Sequence, residues 1–309
     1  MSDISTKSYR KKLAERGAFY TDPKLAADIK KYIPDDVTEV YDPTCGGGNL
    51  LASFGDSVKK YGQELDEEQA NYCRERLTNC EIVAGDTLKN PAFMDRKFKA
   101  IVANYPFSVS WEQNKDDPRF DVAPALAPKS KADFAFILHI IHILADDGVA
   151  SCLCSPGIGY RGNAEGKIRQ WLIEQNYIDT VVLYEGGYFE DTSISTMLLV
   201  LRKNKTTTDI TFTDHKLNKS RVVPIEEVRS NSYNLSVNCY IQEEVKREVI
   251  DTVAVQKDIY KTEVETLRNV AELQFMLLDI DTGLKKGDFV AFLNEVQSVV
   301  DEYMKKVSV

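Results

Sequence analysis

Between residues 37 and 202 the chain alternates short apolar runs with longer stretches whose apolar residues recur every three or four positions. The runs 37–41, 61–66, 81–84, 98–103, 149–155, 178–184 and 194–202 have the length and composition of strands. Between them, 67–77, 133–144 and the stretch from Asn163 through Trp171 and Leu172 predict helices. An earlier helix can be capped by Thr21 or Asp22, with Pro23 in its first turn and Leu25, Ala26 and Ile29 along one side. Strand and helix in alternation predict an α/β fold with a mostly parallel sheet. The last two strands, joined through Glu185 to Thr192, look like an antiparallel hairpin rather than another crossover. One more strand is expected at 210–212, and 233–241 reads as a compact irregular piece. From Gln242 the chain turns helical and charged, with Val245, Val249, Val253, Leu267, Val270, Leu273 and Phe275 along it and a last helix at 289–304. Three parts follow: a basic arm at 1–16 carrying Lys7, Arg10, Lys11, Lys12 and Arg16, a folded domain at 17–241, and a helical tail at 242–309 that is a candidate for docking a partner.

The polar residues that close these strands carry the candidate chemistry. The first strand ends in Asp42-Pro43-Thr44-Cys45-Gly46-Gly47-Gly48-Asn49-Leu50, a glycine-rich turn that leads into a helix. Glycines there let the backbone approach a ligand. The spacing is not GxGxxG, and no Gly-Lys-Ser/Thr follows, so a dinucleotide or triphosphate ligand is poorly supported. Glu64 closes the second strand, 22 residues after Asp42, where such folds grip ribose hydroxyls. Gly85-Asp86-Thr87 closes the third, so Asp42, Glu64 and Asp86 stand at three successive strand ends. The fourth strand delivers Asn104-Tyr105-Pro106-Phe107: an amide and an aromatic at the sheet edge where open α/β folds bind ligands. The segment from there to Lys131 is too long to be a simple connection. Its Arg119, Lys129 and Lys131 are candidates for phosphate contacts or for plain solvation.

Composition narrows the partners. The 309 residues are 43% hydrophobic and 28% charged, ordinary for a globular chain, but the net charge is −9. That balance argues against tight nucleic-acid binding by this chain alone. Six cysteines without a CxxC pair, and a polar start, fit a reduced cytoplasmic setting. No apolar run approaches a membrane span. His139 and His142 share one helix, but no acid or cysteine nearby completes a metal set, so they read as core residues and no metal is expected.

Taken in order, these motifs closely resemble the modification (M) subunits of type I restriction-modification systems, S-adenosylmethionine-dependent DNA adenine-N6 methyltransferases. The resemblance runs from Gly17-Ala18-Phe19-Tyr20-Thr21 through the motifs at Asp42, Glu64, Asp86 and Asn104 to the stretches from Ala127 to Phe136, from Arg161 to Arg169 and from Met197 to Lys203. It covers most of 17–205 and, more weakly, 233–241. It implies a Rossmann-like methyltransferase fold. The cofactor pocket would be closed by Phe19, Tyr20 and Thr21. Asp42, Thr44, Gly46, Gly48, Asn49 and Leu50 would cradle the methionine part, Glu64 the ribose, and Asp86 with Thr87 the adenine. Asn104, Tyr105, Pro106 and Phe107 would act on a flipped adenine of double-stranded DNA, with Asn104 also bordering the cofactor. A specificity subunit is the implied partner, with a second copy of this chain and a restriction subunit as further ones. Two departures stand out. Tyr105 replaces the family's usual proline, which suits a second reading: a catalytically weak or inactive cofactor- or DNA-binding scaffold subunit. Only about sixteen residues precede the Phe19 motif, which reads as a short form lacking the usual N-terminal helical domain.

Overall fold

The computed structural model describes residues 21, 23–188, 194–242, 251–278, 280, 283 and 285–307. The basic arm, Phe19, Tyr20 and Asp22 lie outside them. The chain divides into two compact units, Met1–Glu243 and Glu244–Val309.

Among the described residues the first unit holds one nine-stranded sheet, ordered β3-β2-β1-β4-β5-β7-β6-β8-β9. Its strands are β1 (Glu39–Asp42), β2 (Lys59–Glu64), β3 (Cys80–Ala84), β4 (Phe98–Asn104), β5 (Leu144–Cys154), β6 (Ile178–Tyr184), β7 (Thr196–Arg202), β8 (Ile210–Asp214) and β9 (Lys219–Val223). The principal helices are α1 (Pro23–Lys30), α2 (Glu67–Arg76), α3 (Pro118–Asp121), α4 (Asp133–Ile143), α5 (Asn163–Glu174) and α6 (Ile225–Ser230). Strands β3, β2, β1, β4 and β5 are all parallel. Strand order reverses between β1 and β4, and the crevice beyond their carboxyl ends is where such sheets bind ligands.

The expected hairpin is present, with Tyr184 opposite Thr196, and β7 also pairs antiparallel with β5. The sheet does not end there. β8 extends to Asp214 and lies parallel to β6, and β9 adds a second hairpin at the edge. β9 escapes prediction because Lys-Ser-Arg-Val-Val buries only its last residue, so no alternating pattern marks it. β2 begins earlier than its apolar residues suggest, at Lys59. Lys60 is buried there because its ammonium donates to the carbonyls of Gly55 and Val58, both at 3.0 Å. β5 likewise starts at Leu144 rather than 149. Gly148 sits at its register shift, where a Cβ would meet the Phe98 carbonyl at 2.9 Å.

Alternation along β4 sets the two layers. Ile101 and Ala103 face the core built on α4 and α5, while Ala100 and Val102 face the one built on α1 and α2. Ten of the eleven residues of α4 are buried. Burial of each large apolar side chain stabilises by roughly 1.5–3 kcal/mol, so this helix anchors the layer beneath the Asn104 tip. Cys152 and Cys154 face the same core, and all six cysteines are free thiols.

The second unit contains α7 (Thr252–Leu277) and α8 (Lys286–Val307). Asp251 caps α7, its Oδ1 accepting the N–H groups of Val253 and Ala254. Phe275 and Phe289 meet at a 5.9 Å ring separation, yet neither helix holds a buried residue. No described helix is long and apolar enough to cross a membrane.

Candidate functional site

A cavity of about 620 Å³ opens at the carboxyl ends of β1, β2, β3 and β4. The three strand-end acids all line it, together with Thr21, Thr44, Gly46, Asn49, Leu50, Thr87, Asn104 and Pro106. Its size is that of a small-molecule site.

The acids are held by the turns they close. Asp42 is almost wholly buried, and its Oδ1 accepts the Thr44 N–H at 2.9 Å. Burial pushes its carboxyl up to about 7, against the opposing pull of that N–H. Glu64 accepts the Gly46 N–H at 2.8 Å through one oxygen and the Asp66 N–H at 2.9 Å through the other. Its carboxylate thereby ties the glycine turn to β2, and burial raises its pKa as well. Asp86 Oδ1 accepts from the N–H groups of Leu88 and Lys89, and the Thr87 hydroxyl donates to the Pro43 carbonyl.

Thr21 joins the two sides of the cavity. Its hydroxyl accepts from Asn104 Nδ2 at 3.0 Å, and its carbonyl accepts from Asn49 Nδ2 at 3.0 Å. The Thr21 hydroxyl holds the Asn104 amide at the cavity wall, and with Nδ2 on that hydroxyl the amide oxygen is the end that accepts.

Three of the expected site residues, Gly48, Tyr105 and Phe107, do not line the cavity. Gly48 is not part of the cavity lining. A Cβ there would meet Cys73 Sγ at 2.6 Å and Leu77 Cδ1 at 2.8 Å, so this glycine, at φ +81°, lets the turn pack against α2 and its C-terminal end. Tyr105 turns its ring into the core, 1% exposed, stacked on Phe136 at 5.1 Å and edge-on to Phe107 at 6.1 Å. Only its backbone can serve the cavity. Phe107 is half-buried beside the cavity rather than lining it. Arg119 is fully buried, which rules out phosphate contact, while Lys129 is exposed. His139 is a core residue whose pKa burial lowers to about 3.

Several lining residues were assigned no role from the sequence: Phe136 inside an apolar helix, Asp66 at the N-cap of α2 and Gln69 on α2. Asp133 lies in the Ala127-to-Phe136 stretch that carries the resemblance, which assigned it no role. Its Oδ2 accepts the N–H of Ser108, a residue at φ +52° directly after the Asn104 motif. Arg161 reaches the same loop, donating to Glu165, Ser155 and Ser108. The Ala127-to-Phe136 and Arg161 motifs therefore brace the loop that follows Phe107.

Comparison with known proteins places these features in context. The N-6 DNA Methylase family model matches residues 6–222. The methylase subunit of the type I restriction enzyme MpnII from Mycoplasma pneumoniae is 30% identical over 86% of this chain and 62% of its own. That of MjaVII from Methanocaldococcus jannaschii is 28% identical over 75% of this chain and 51% of its own. The chain thus spans about half to three-fifths of the length of these curated relatives. Among solved structures, a type I restriction-modification methyltransferase subunit from Streptococcus thermophilus superposes with a TM-score of 0.66 at 32% identity, covering 72% of this chain and 59% of that one.

Proposed function

Because the chain belongs to the N-6 DNA methylase family, we propose that it transfers a methyl group from S-adenosylmethionine to N6 of adenine in DNA. In this reading it is the modification subunit of a type I-like system. The observation that carries it is the shared cavity. Three strand-end acids and one amide, Asn104, held by the Thr21 hydroxyl, line the same space at the switch point of the sheet.

The residues present fit the cofactor. A zwitterionic amino acid joined to a nucleoside needs acceptors for an ammonium, a diol and an adenine amino group, and Asp42, Glu64 and Asp86 follow one another in that order. The buried Asp42 gains most from a cationic ligand, which offsets its desolvation. Thr44, Gly46, Asn49 and Leu50 complete the methionine side and Thr87 the adenine side. When bound, S-adenosylmethionine supplies an electrophilic methyl group on its sulfonium.

The chain's own residues prepare the acceptor. The exocyclic nitrogen of adenine is a weak nucleophile because its lone pair is delocalised into the ring. Asn104 Oδ1 and the Tyr105 carbonyl accept hydrogen bonds from its two N–H groups and favour a pyramidal nitrogen. Phe107 offers a face for the base, which leaves the duplex to reach the site. Holding nitrogen and methyl in line is chiefly a positioning effect. The loop braced by Asp133 and Arg161 maintains that position.

The acidic chain is proposed to leave sequence reading to a specificity subunit, with α7 and α8 as its docking element. A second copy of the chain and a restriction subunit are further proposed members of the assembly. The test supplies labelled S-adenosylmethionine and duplex DNA to the chain with and without its genomic neighbours. Label in N6-methyladenine is the expected product. Asn104→Ala is expected to lower transfer by roughly a hundredfold or more while sparing cofactor binding. Transfer at the wild-type rate in that variant overturns the mechanism.

A further inference from the structure

Arg119 is the largest fully buried side chain among the described residues. Desolvating a guanidinium is costly unless each of its N–H groups finds an acceptor. Here every one does. Nε donates to the Asp117 carboxylate at 3.0 Å and Nη2 to the same carboxylate at 2.7 Å. Nη2 also donates to the Leu88 carbonyl at 2.6 Å, and Nη1 to the Thr87 carbonyl at 2.7 Å. The second hydrogen of Nη1 points at His139 Nδ1, 3.1 Å away.

The last contact settles a tautomer. Arginine only donates, so Nδ1 must present its lone pair, and the imidazole is neutral with its proton on Nε2. Nε2 then donates to the Tyr41 hydroxyl at 3.3 Å. Burial, followed by the Arg119 charge, disfavours a second proton on this ring. Tyr41 belongs to β1, one residue before Asp42, and its ring stacks on Phe98 of β4.

The two clamped carbonyls belong to the turn directly after Asp86, and Asp86 and Thr87 both line the cavity. Arg119 itself comes from the segment between the Asn104 tip and α4. One buried cation thus joins the cavity wall at β3 to that segment and, through His139 and Tyr41, to β1. Packing alone does not call for an ion here, since an apolar side chain of similar volume fills a core without the desolvation cost. What the guanidinium adds is a fixed geometry for two adjacent carbonyls.

We propose that Arg119, with His139 behind it, is a positioning residue that sets the Asp86–Thr87 wall and thereby the affinity for the nucleoside half of the cofactor. This rests on the reading that Asp86 and Thr87 hold the cofactor's adenine.

The experiment measures S-adenosylmethionine binding to the full chain by calorimetry, with adenosine and methionine as separate competitors. Arg119→Lys keeps the charge but cannot present a planar fork to both carbonyls and Asp117. It is expected to weaken S-adenosylmethionine at least tenfold and to lose adenosine competition, with methionine competition unchanged. His139→Leu removes the acceptor behind the fork and is expected to act in the same direction. His139→Asn restores an acceptor and is expected to recover most of the affinity. If Arg119→Lys does not fold, the two His139 variants decide. Equal weakening of adenosine and methionine, or S-adenosylmethionine affinity within twofold of wild type in the folded variants, overturns the proposal. Failure of the wild-type chain to bind S-adenosylmethionine overturns the functional reading instead.

Discussion

Asp42 is the residue at which stability and function pull apart. Its folded pKa of about 7 lies above that of an unfolded aspartate, so its contribution to stability is intact at low pH. As pH rises from about 4 to about 7, the unfolded chain ionises first and the folded state loses stability, by at most about 4 kcal/mol. Asp42→Asn is therefore expected to raise the stability of the ligand-free chain, by an increment that grows from pH 4 to pH 7 and then levels off, while cofactor binding weakens. Chemical denaturation of both proteins across that range checks it, and an increment that shrinks with pH contradicts it. Tyr105 invites a second substitution. Its ring fills space between Phe136 and Phe107, so the side chain does not block the cavity. Tyr105→Pro is expected to cost roughly 3 kcal/mol of stability and to bring no gain in transfer rate. Tyr105→Phe keeps the ring and gives up only a weak contact of the buried hydroxyl with the Cys154 thiol, so it is expected to match wild type within about 1 kcal/mol. A faster Tyr105→Pro enzyme would show that the tyrosine loosens the site after all. None of this was legible locally. The motif placed Tyr105 at the strand end, but which way its ring turns depends on Phe136, thirty-one residues further along.

At the scale of elements, the glycine turn between β1 and β2, followed by a single 3-10 turn at Leu51–Ser53 rather than by the expected helix, does two jobs with different residues. Gly46 has φ +50° and open space where a Cβ would stand, on the cavity side. Gly48 has φ +81° and no such space, because Cys73 and Leu77 press against it. Gly46→Ala is thus expected to lower cofactor affinity with a stability loss of about 1–2 kcal/mol. Gly48→Ala adds a steric clash to the backbone strain and is expected to lose roughly 3 kcal/mol or more of stability, with a smaller effect on the affinity of the folded fraction. Thermal melts alongside calorimetry separate the two, and the reverse ranking would refute the division of roles. The triplet itself was recognisable in the sequence, whereas the split within it was not, since α2 supplies the side chains that crowd Gly48. The edge strand β9 was missed for a related reason: it buries one residue and leaves no alternation to detect.

Across the whole molecule the two units differ in how they are held. The first has two apolar layers around a continuous sheet. Among the described residues the second has two helices of 26 and 22 residues with no buried side chain. Helices draw most of their stability from packing, so α7 and α8 are expected to lose circular-dichroism signal gradually, ahead of the cooperative unfolding of the first unit. S-adenosylmethionine at a hundred times its Kd adds about 2.7 kcal/mol to the unit that binds it and is expected to move only the later transition. A single transition that shifts as one with the cofactor would show that the units unfold together. The sequence by itself determined the alternation of strands and helices, the acids at three successive strand ends, and the order of motifs that leads to Asn104. Each is written in neighbouring residues, where period, turn chemistry and spacing act over a few positions. The tertiary structure alone decided that Arg119 is a buried clamp rather than a phosphate ligand, that the Tyr105 ring belongs to the core, and that β7 lies between β5 and β6. Those outcomes turn on which distant side chains and strands meet, and burial, desolvation and strand pairing are set by that meeting rather than by the residue's own neighbours in the chain.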